Sequence, residues 1–137
     1  MPVQYARDDG KRRITLTVSD PLSLEERIDA VERQLADGAW KYGLIVDARS
    51  MASFTPQLAD MQAAASRLAE LVAAHGPRGP VALVTRQPAV IGASAMHNSL
   101  GVKTPGVQVF WDLDDAQTFL DRLHAETPSS PGPEPLG

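Results

Sequence analysis

The chain contains no cysteine. That excludes disulfide staples, a thiolate nucleophile and zinc held by thiolates, and it agrees with a reducing, cytoplasmic setting. Histidine occurs only at His75, His97 and His124, with no H-E-x-x-H or comparable ligand spacing, so neither a metal nor another cofactor is expected. No apolar run approaches the roughly 20 residues that span a bilayer. Ser66, Arg67 and Glu70 interrupt the Ala-rich stretch 63–74, and Met1-Pro2-Val3-Gln4 does not open a signal peptide. Neither sign of charge dominates. The formal net charge is −4 with both signs interspersed, and Lys11-Arg12-Arg13 is the single basic cluster, which argues against nucleic acid or an anionic membrane as partner. A phosphate-cradling loop is missing too: Gly76-Pro77-Arg78-Gly79-Pro80 has two prolines where backbone N–H groups are needed, and it reads as a linker.

What is present suits one domain. A chain of 137 residues buries about two-thirds of its unfolded surface. The domain is expected over residues 1–125, and the Pro-rich segment 126–137 has the composition of a disordered tail.

Its organising stretch is YGLIVDARSMASFTPQL, residues 42–58. Gly43 to Val46 is an apolar, β-branched run that Asp47 stops with a charge, and Thr55-Pro56 offers a helix N-cap followed by a residue already fixed at helical φ. A strand's carboxyl end thus faces a helix's amino end. Free N–H groups and a partial positive charge gather beside Ser50, Ser53 and Thr55, which suits an anion or a partner's acidic group. Turn and capping chemistry is the competing reading of the same hydroxyls.

Before this stretch, Val3 to Ala6 and Arg13 to Val18 form a hairpin about the turn Asp8-Asp9-Gly10, with Ile14, Leu16 and Val18 on one face. Ser23 and Glu26 make a capping box for a first helix. Leu24, Ile28, Val31 and Leu35 line its inner stripe, Glu25, Arg27, Asp29, Glu32 and Arg33 its solvated face, and Gly38 its end. A second helix is expected from Pro56 to about His75, then an all-apolar strand at Val81 to Val84, a third helix from Ala89 to Leu100 and a strand from Val107 to Trp111. Asp112 caps a fourth helix. The predicted order is β-β-α-β-α-β-α-β-α: an α/β fold with a mostly parallel five-stranded sheet, an N-terminal β-hairpin and about four helices. Its strands' carboxyl ends gather Asp47, Arg49, Ser50, Ser53, Thr55, Thr85, Arg86, Gln87 and Asp112 on one rim. Trp40 and Tyr42, just before the central strand, cover the opposite edge.

This element order, the stretch LIVDARSMASFTPQL and the closing VQVFWDLDDAQTFLDRL resemble the domain family of sulfate transporters and anti-sigma-factor antagonists (STAS), in particular its SpoIIAA-like branch, over roughly residues 3 to 124. The resemblance implies a non-enzymatic regulatory module in protein–protein interaction. In that family's antagonists a serine in an Asp-Ser-Ser-Gly-type turn is phosphorylated. Here the turn reads Ser53-Phe54-Thr55-Pro56-Gln57-Leu58, so the phosphoswitch motif is not retained and what carries over is the fold and the use of this rim.

Catalytic readings are weaker. Asp47 with Thr85 resembles a receiver phosphoacceptor site, but Trp111 stands where a lysine is required. Gly92-Ala-Ser94-Ala-Met96 lacks the second glycine of a nucleophile elbow and lies inside a helix. No catalytic residue is assigned. The alternative to an adaptor is a small-molecule or lipid-binding carrier or sensor, with Met51, Phe54, Met61, Ile91 and Met96 lining an apolar pocket between helices two and three; core packing accounts for the same residues. The expected partner is another protein, and the hairpin's open edge also allows a homodimer unless Lys11-Arg12-Arg13 protects it.

Overall fold

The computed structural model describes residues 3–51, 57–99 and 107–126. It is an α/β structure whose five strands form one mixed, mostly parallel sheet with four helices. In chain order the elements are β1 Val3–Asp8, β2 Arg13–Ser19, α1 Leu24–Ala36, β3 Gly43–Ser50, α2 Leu58–His75, β4 Val81–Val84, α3 Pro88–Ser99, β5 Val107–Phe110 and α4 Leu113–Glu126.

Strands lie in the sheet in sequence order, β1-β2-β3-β4-β5. β1 and β2 are antiparallel, with Val3 opposite Val18 and Asp8 opposite Arg13. The pairs β2/β3, β3/β4 and β4/β5 are parallel. The strand order never reverses, so the sheet has no topological switch crevice of the kind that places ligands in doubly wound folds.

Alternation along the strands builds two layers of core. Ile14, Leu16, Val18, Leu44, Val81 and Leu83 share a face with Val90 of α3 and Ala30 of α1. Ile45, Ala82 and Val84 point to the other face, under Ala116 and Leu120 of α4. β3 and β4 are covered on both sides, and for that reason they read as unbroken apolar runs. α2 has α1 and α3, not a strand, as its main backbone neighbours. Its Leu68 and Leu71 pack on the buried Trp40 with Val31 and Leu35 of α1.

Local chemistry sets the ends. At α1 the Ser23 Oγ accepts from the Glu26 N–H at 3.0 Å and the Glu26 carboxylate accepts from the Ser23 N–H at 2.9 Å, the reciprocal box that the spacing predicts. Gly38, at φ +73°, turns the chain out of α1, and Gly76, at φ +86°, does so after α2. Asp112 accepts from the Asp115 N–H at 2.9 Å to start α4.

Five expectations need correction. β3 does not stop at Asp47; it continues to Ser50, because Ser50 pairs with Ser19 beyond a register shift. α2 starts at Leu58 instead of Pro56, and Gln57 takes the cap position with no side-chain cap. Gln57 is extended, at φ −110° and ψ 126°; the expected cap Thr55 and Pro56 lie outside the described residues. The hairpin turns on the four residues Asp9 to Arg12, closed by Arg12 N–H to the Asp9 carbonyl, and Arg12, at φ +52°, takes the left-handed position usual for glycine. On α1, Arg27 is half-buried instead of solvated, while the Leu24, Ile28, Val31 and Leu35 stripe is only half-covered. In the expected linker 76–80, Arg78 and Gly79 are buried.

Candidate functional site

The carboxyl ends of β3, β4 and β5 bring together Asp47, Arg49 and Ser50, then Thr85 and Arg86, then Trp111 and Asp112. Asp47, Arg49, Ser50, Thr85, Arg86 and Asp112 are rim positions that the sequence predicts and Trp111 is not, while Ser53 and Thr55 lie outside the described residues. Ser50 is exposed at the end of β3 and Gln87 is half-buried.

Asp47, Arg49, Thr85 and Arg86 of this rim bond to one another or to neighbouring backbone. Arg49 donates from Nε to Asp47 Oδ1 at 2.8 Å and from Nη2 to Oδ2 at 2.7 Å, and its backbone N–H adds a third bond at 3.2 Å. Alternation puts residues 47 and 49 on the same face of the strand, so the fork forms without distortion. The Arg49 fork holds the Asp47 carboxyl below the usual range despite burial, and Arg49 is held up by Asp47, with Asp112 adding a weaker attraction. Thr85 is fully buried; its N–H donates to the Phe110 carbonyl and its hydroxyl accepts from the Gln87 N–H, both at 3.0 Å. That hydroxyl orients the chain entering α3. Arg86 donates to the Trp111 carbonyl at 3.3 Å and lays its guanidinium 5.3 Å from the Trp111 ring centroid.

Trp111 is 63% exposed and Leu58, at the start of α2 on the same end, is 56% exposed. Among the described residues these are the exposed large hydrophobics. The rim therefore presents an aromatic anchor with a cation on it, beside a carboxylate whose lone pairs are already engaged.

Elsewhere, Ser94 donates to the Ile91 carbonyl at 2.8 Å within α3, an internal helix bond. His75 meets Trp40 edge-on at 6.4 Å. Among the described residues no three His, Asp or Glu side chains gather as metal ligands, and no helix is long and apolar enough to cross a membrane.

Two hollows open on the α1/α3 side, the larger between these helices and the sheet and the smaller between α1 and α2. One, about 200 Å³, is walled by Leu22, Met51, Leu83, Val90 and Val107; the other, about 110 Å³, by Ile28, Val31, Ala64 and Leu68. Arg27 and Arg78 line both. Of the pocket residues that the sequence suggests, Met51 lines the larger hollow, whereas buried Met61 and half-buried Ile91 do not; Phe54 and the Met96 side chain lie outside the described residues. A third hollow, about 380 Å³, lies at the opposite end of the strands beside Lys11, Arg12, Arg13 and Lys41. Of its cations, Arg13 is engaged by Asp121 at 2.7 Å, Lys41 by the Pro77 carbonyl at 2.9 Å and Arg12 by the Tyr42 ring, and Arg78 lines this hollow too.

Trp111, Arg27 and Arg78 are missed by sequence reasoning. For Trp111 a signal exists, an aromatic residue stranded between the end of β5 and an N-cap aspartate. For Arg78 none does, since its burial follows from a loop whose backbone path only the tertiary structure reveals. Comparison of the chain with protein-family models and with curated proteins finds no match.

Proposed function

We propose that this chain is a non-catalytic regulatory interaction module of STAS-like, SpoIIAA-like architecture that binds another protein through the rim of Asp47, Arg49, Thr85, Arg86 and Trp111. The observation that carries this reading is Trp111, 63% exposed, with Arg86 stacked on it. Tryptophan and arginine are the residues most enriched among interface hot spots, and here they stand together at the β4/β5 end of one rim. The closed Asp47 and Arg49 fork fits the same reading: charges paired in advance lose little on docking, whereas a general base needs a free lone pair. The sequential strand order and the four-helix arrangement accord with the family resemblance. At the sheet's edge, Arg7 and Asp8 place charge along β1, a device that discourages edge pairing, so a second copy of the chain is the less favoured partner.

The test is site-specific photo-crosslinking in the native cell. A photoreactive residue at position 111 is expected to capture one discrete polypeptide, and the same residue at the exposed position 4 on β1 is not. Equal adducts at both positions, or none at 111, would overturn the reading.

A second reading, a carrier or sensor of a small apolar molecule, is supported by the two hollows on the α1/α3 face. A native mass spectrum of protein purified without denaturation separates the two. A persistent small added mass favours the carrier, and a stoichiometric second polypeptide favours the adaptor.

A further inference from the structure

Several of the molecule's arginines have acids to meet. Arg13 meets Asp121, Arg49 meets Asp47, and Arg67 meets Glu32 and Glu70. Arg78 is different. It is 8% exposed, donates from Nη2 to Gln34 Oε1 at 2.9 Å and lies 5.5 Å over the Trp40 ring, and its Nε is buried with no partner. No carboxylate acts on it: burial alone pulls its guanidinium down to about 10, which leaves it a cation at neutral pH. Arg27 shares the same two hollows. Its side chain makes no hydrogen bond or ion pair among the described residues, burial lowers its pKa, and Asp60 offers only a distant attraction. The two cations meet where the other walls are mostly apolar: Arg67, which also lines the smaller hollow, is already paired with Glu32 and Glu70, and Ser94 on the larger bonds within its own helix. A buried charge without an ion-pair partner is costly, and where half-buried Arg27 stands beside buried Arg78 there is room for an anion to complete the set.

We infer that the hollows on the α1/α3 face bind a small amphiphile with a carboxylate head, the head lying between Arg27 and Arg78 and the apolar body against Leu22, Met51, Leu83 and Val90. This rests on the carrier reading above and adds the chemistry of its ligand. Size limits the body. At the roughly 30 Å³ that a water-sized group occupies at liquid density, the larger hollow, about 200 Å³, holds about seven non-hydrogen atoms, the alkyl body of a medium-chain acid whose carboxylate lies between Arg27 and Arg78. Arginine suits the role better than lysine, since its fork meets both oxygens of a carboxylate.

Calorimetric titration of the full chain with octanoate, 1-octanol and acetate tests the inference. Octanoate is expected to bind about tenfold or more tighter than 1-octanol, and acetate not measurably. Arg27→Gln should remove most of that advantage while leaving 1-octanol unchanged. Arg78→Met should act alike, and if it does not fold, Arg27→Gln decides. Equal binding of octanoate and 1-octanol would overturn the anionic head and leave the carrier reading standing. Absence of binding by both would overturn the two together. Acetate binding as well as octanoate would overturn the amphiphile.

Discussion

Asp47 and Arg49, two residues apart on β3, share both carboxylate oxygens through a fork of 2.7 and 2.8 Å. The carboxylate is nearly enclosed, its side chain 11% exposed, while the arginine, 51% exposed, reaches over it from solvent. The pair anchors the rim and gives it a pH dependence of known sign. The folded carboxyl lies below its ordinary value, so its stabilisation is complete above the unfolded pKa of about 4. It is lost as pH falls through the lower folded value. Asp47→Asn should therefore cost about 1 kcal/mol at pH 7, a modest figure because water screens Arg49. Urea unfolding of both proteins should show that gap constant from pH 7 to pH 5 and closing below about pH 4. A gap independent of pH would contradict the pairing.

Helix starts on the rim differ in what holds them. Asp112 caps α4 through its side chain, whereas Gln57 precedes α2 with no such bond. Asp112→Ala should cost about 1 kcal/mol, and Gln57→Ala within a few tenths of that change's absence. Thermal melts of the two variants check this directly.

Gly79 is dictated by its neighbours. A Cβ there would stand 2.2 Å from the Tyr42 carbonyl oxygen and 2.5 Å from that of Lys41, both backbone atoms. Gly79→Ala should cost about 2 kcal/mol or more. A urea midpoint like the wild type's would show that the loop carrying Arg78 does not cross β3's entry as closely as described.

Much of the fold is legible in the sequence because its local signals agree with its tertiary ones. The capping box at Ser23, the period-two apolar face of β2 and the doubly covered Val81 to Val84 each specify an element that packing then rewards. The misses share a cause. Thr55-Pro56 carries a helix-start signature, yet the extended Gln57 delays α2 by two residues. Asp47 reads as a strand stop because its charge partner, two residues on, is invisible to hydropathy. Arg78 reads as linker because nothing in Gly-Pro-Arg-Gly-Pro discloses that Gln34 and Trp40 receive it. For the site, the rim's strand-end residues are readable from topology alone, whereas the exposed Trp111 is marked only by its place between β5 and the Asp112 cap, a signal easily overridden because an aromatic after a strand is ordinarily core.

Trp111→Ala and Arg86→Ala remove exposed atoms from a rim that the core does not use, so together they should change stability by no more than about 0.5 kcal/mol. Native mass spectrometry of the wild type and this double variant, each purified from its own cells, puts the adaptor claim to its most direct trial. The account predicts a stoichiometric second polypeptide on the wild type and its loss from an equally stable variant. The same species on both, or a bare chain in both, would contradict it.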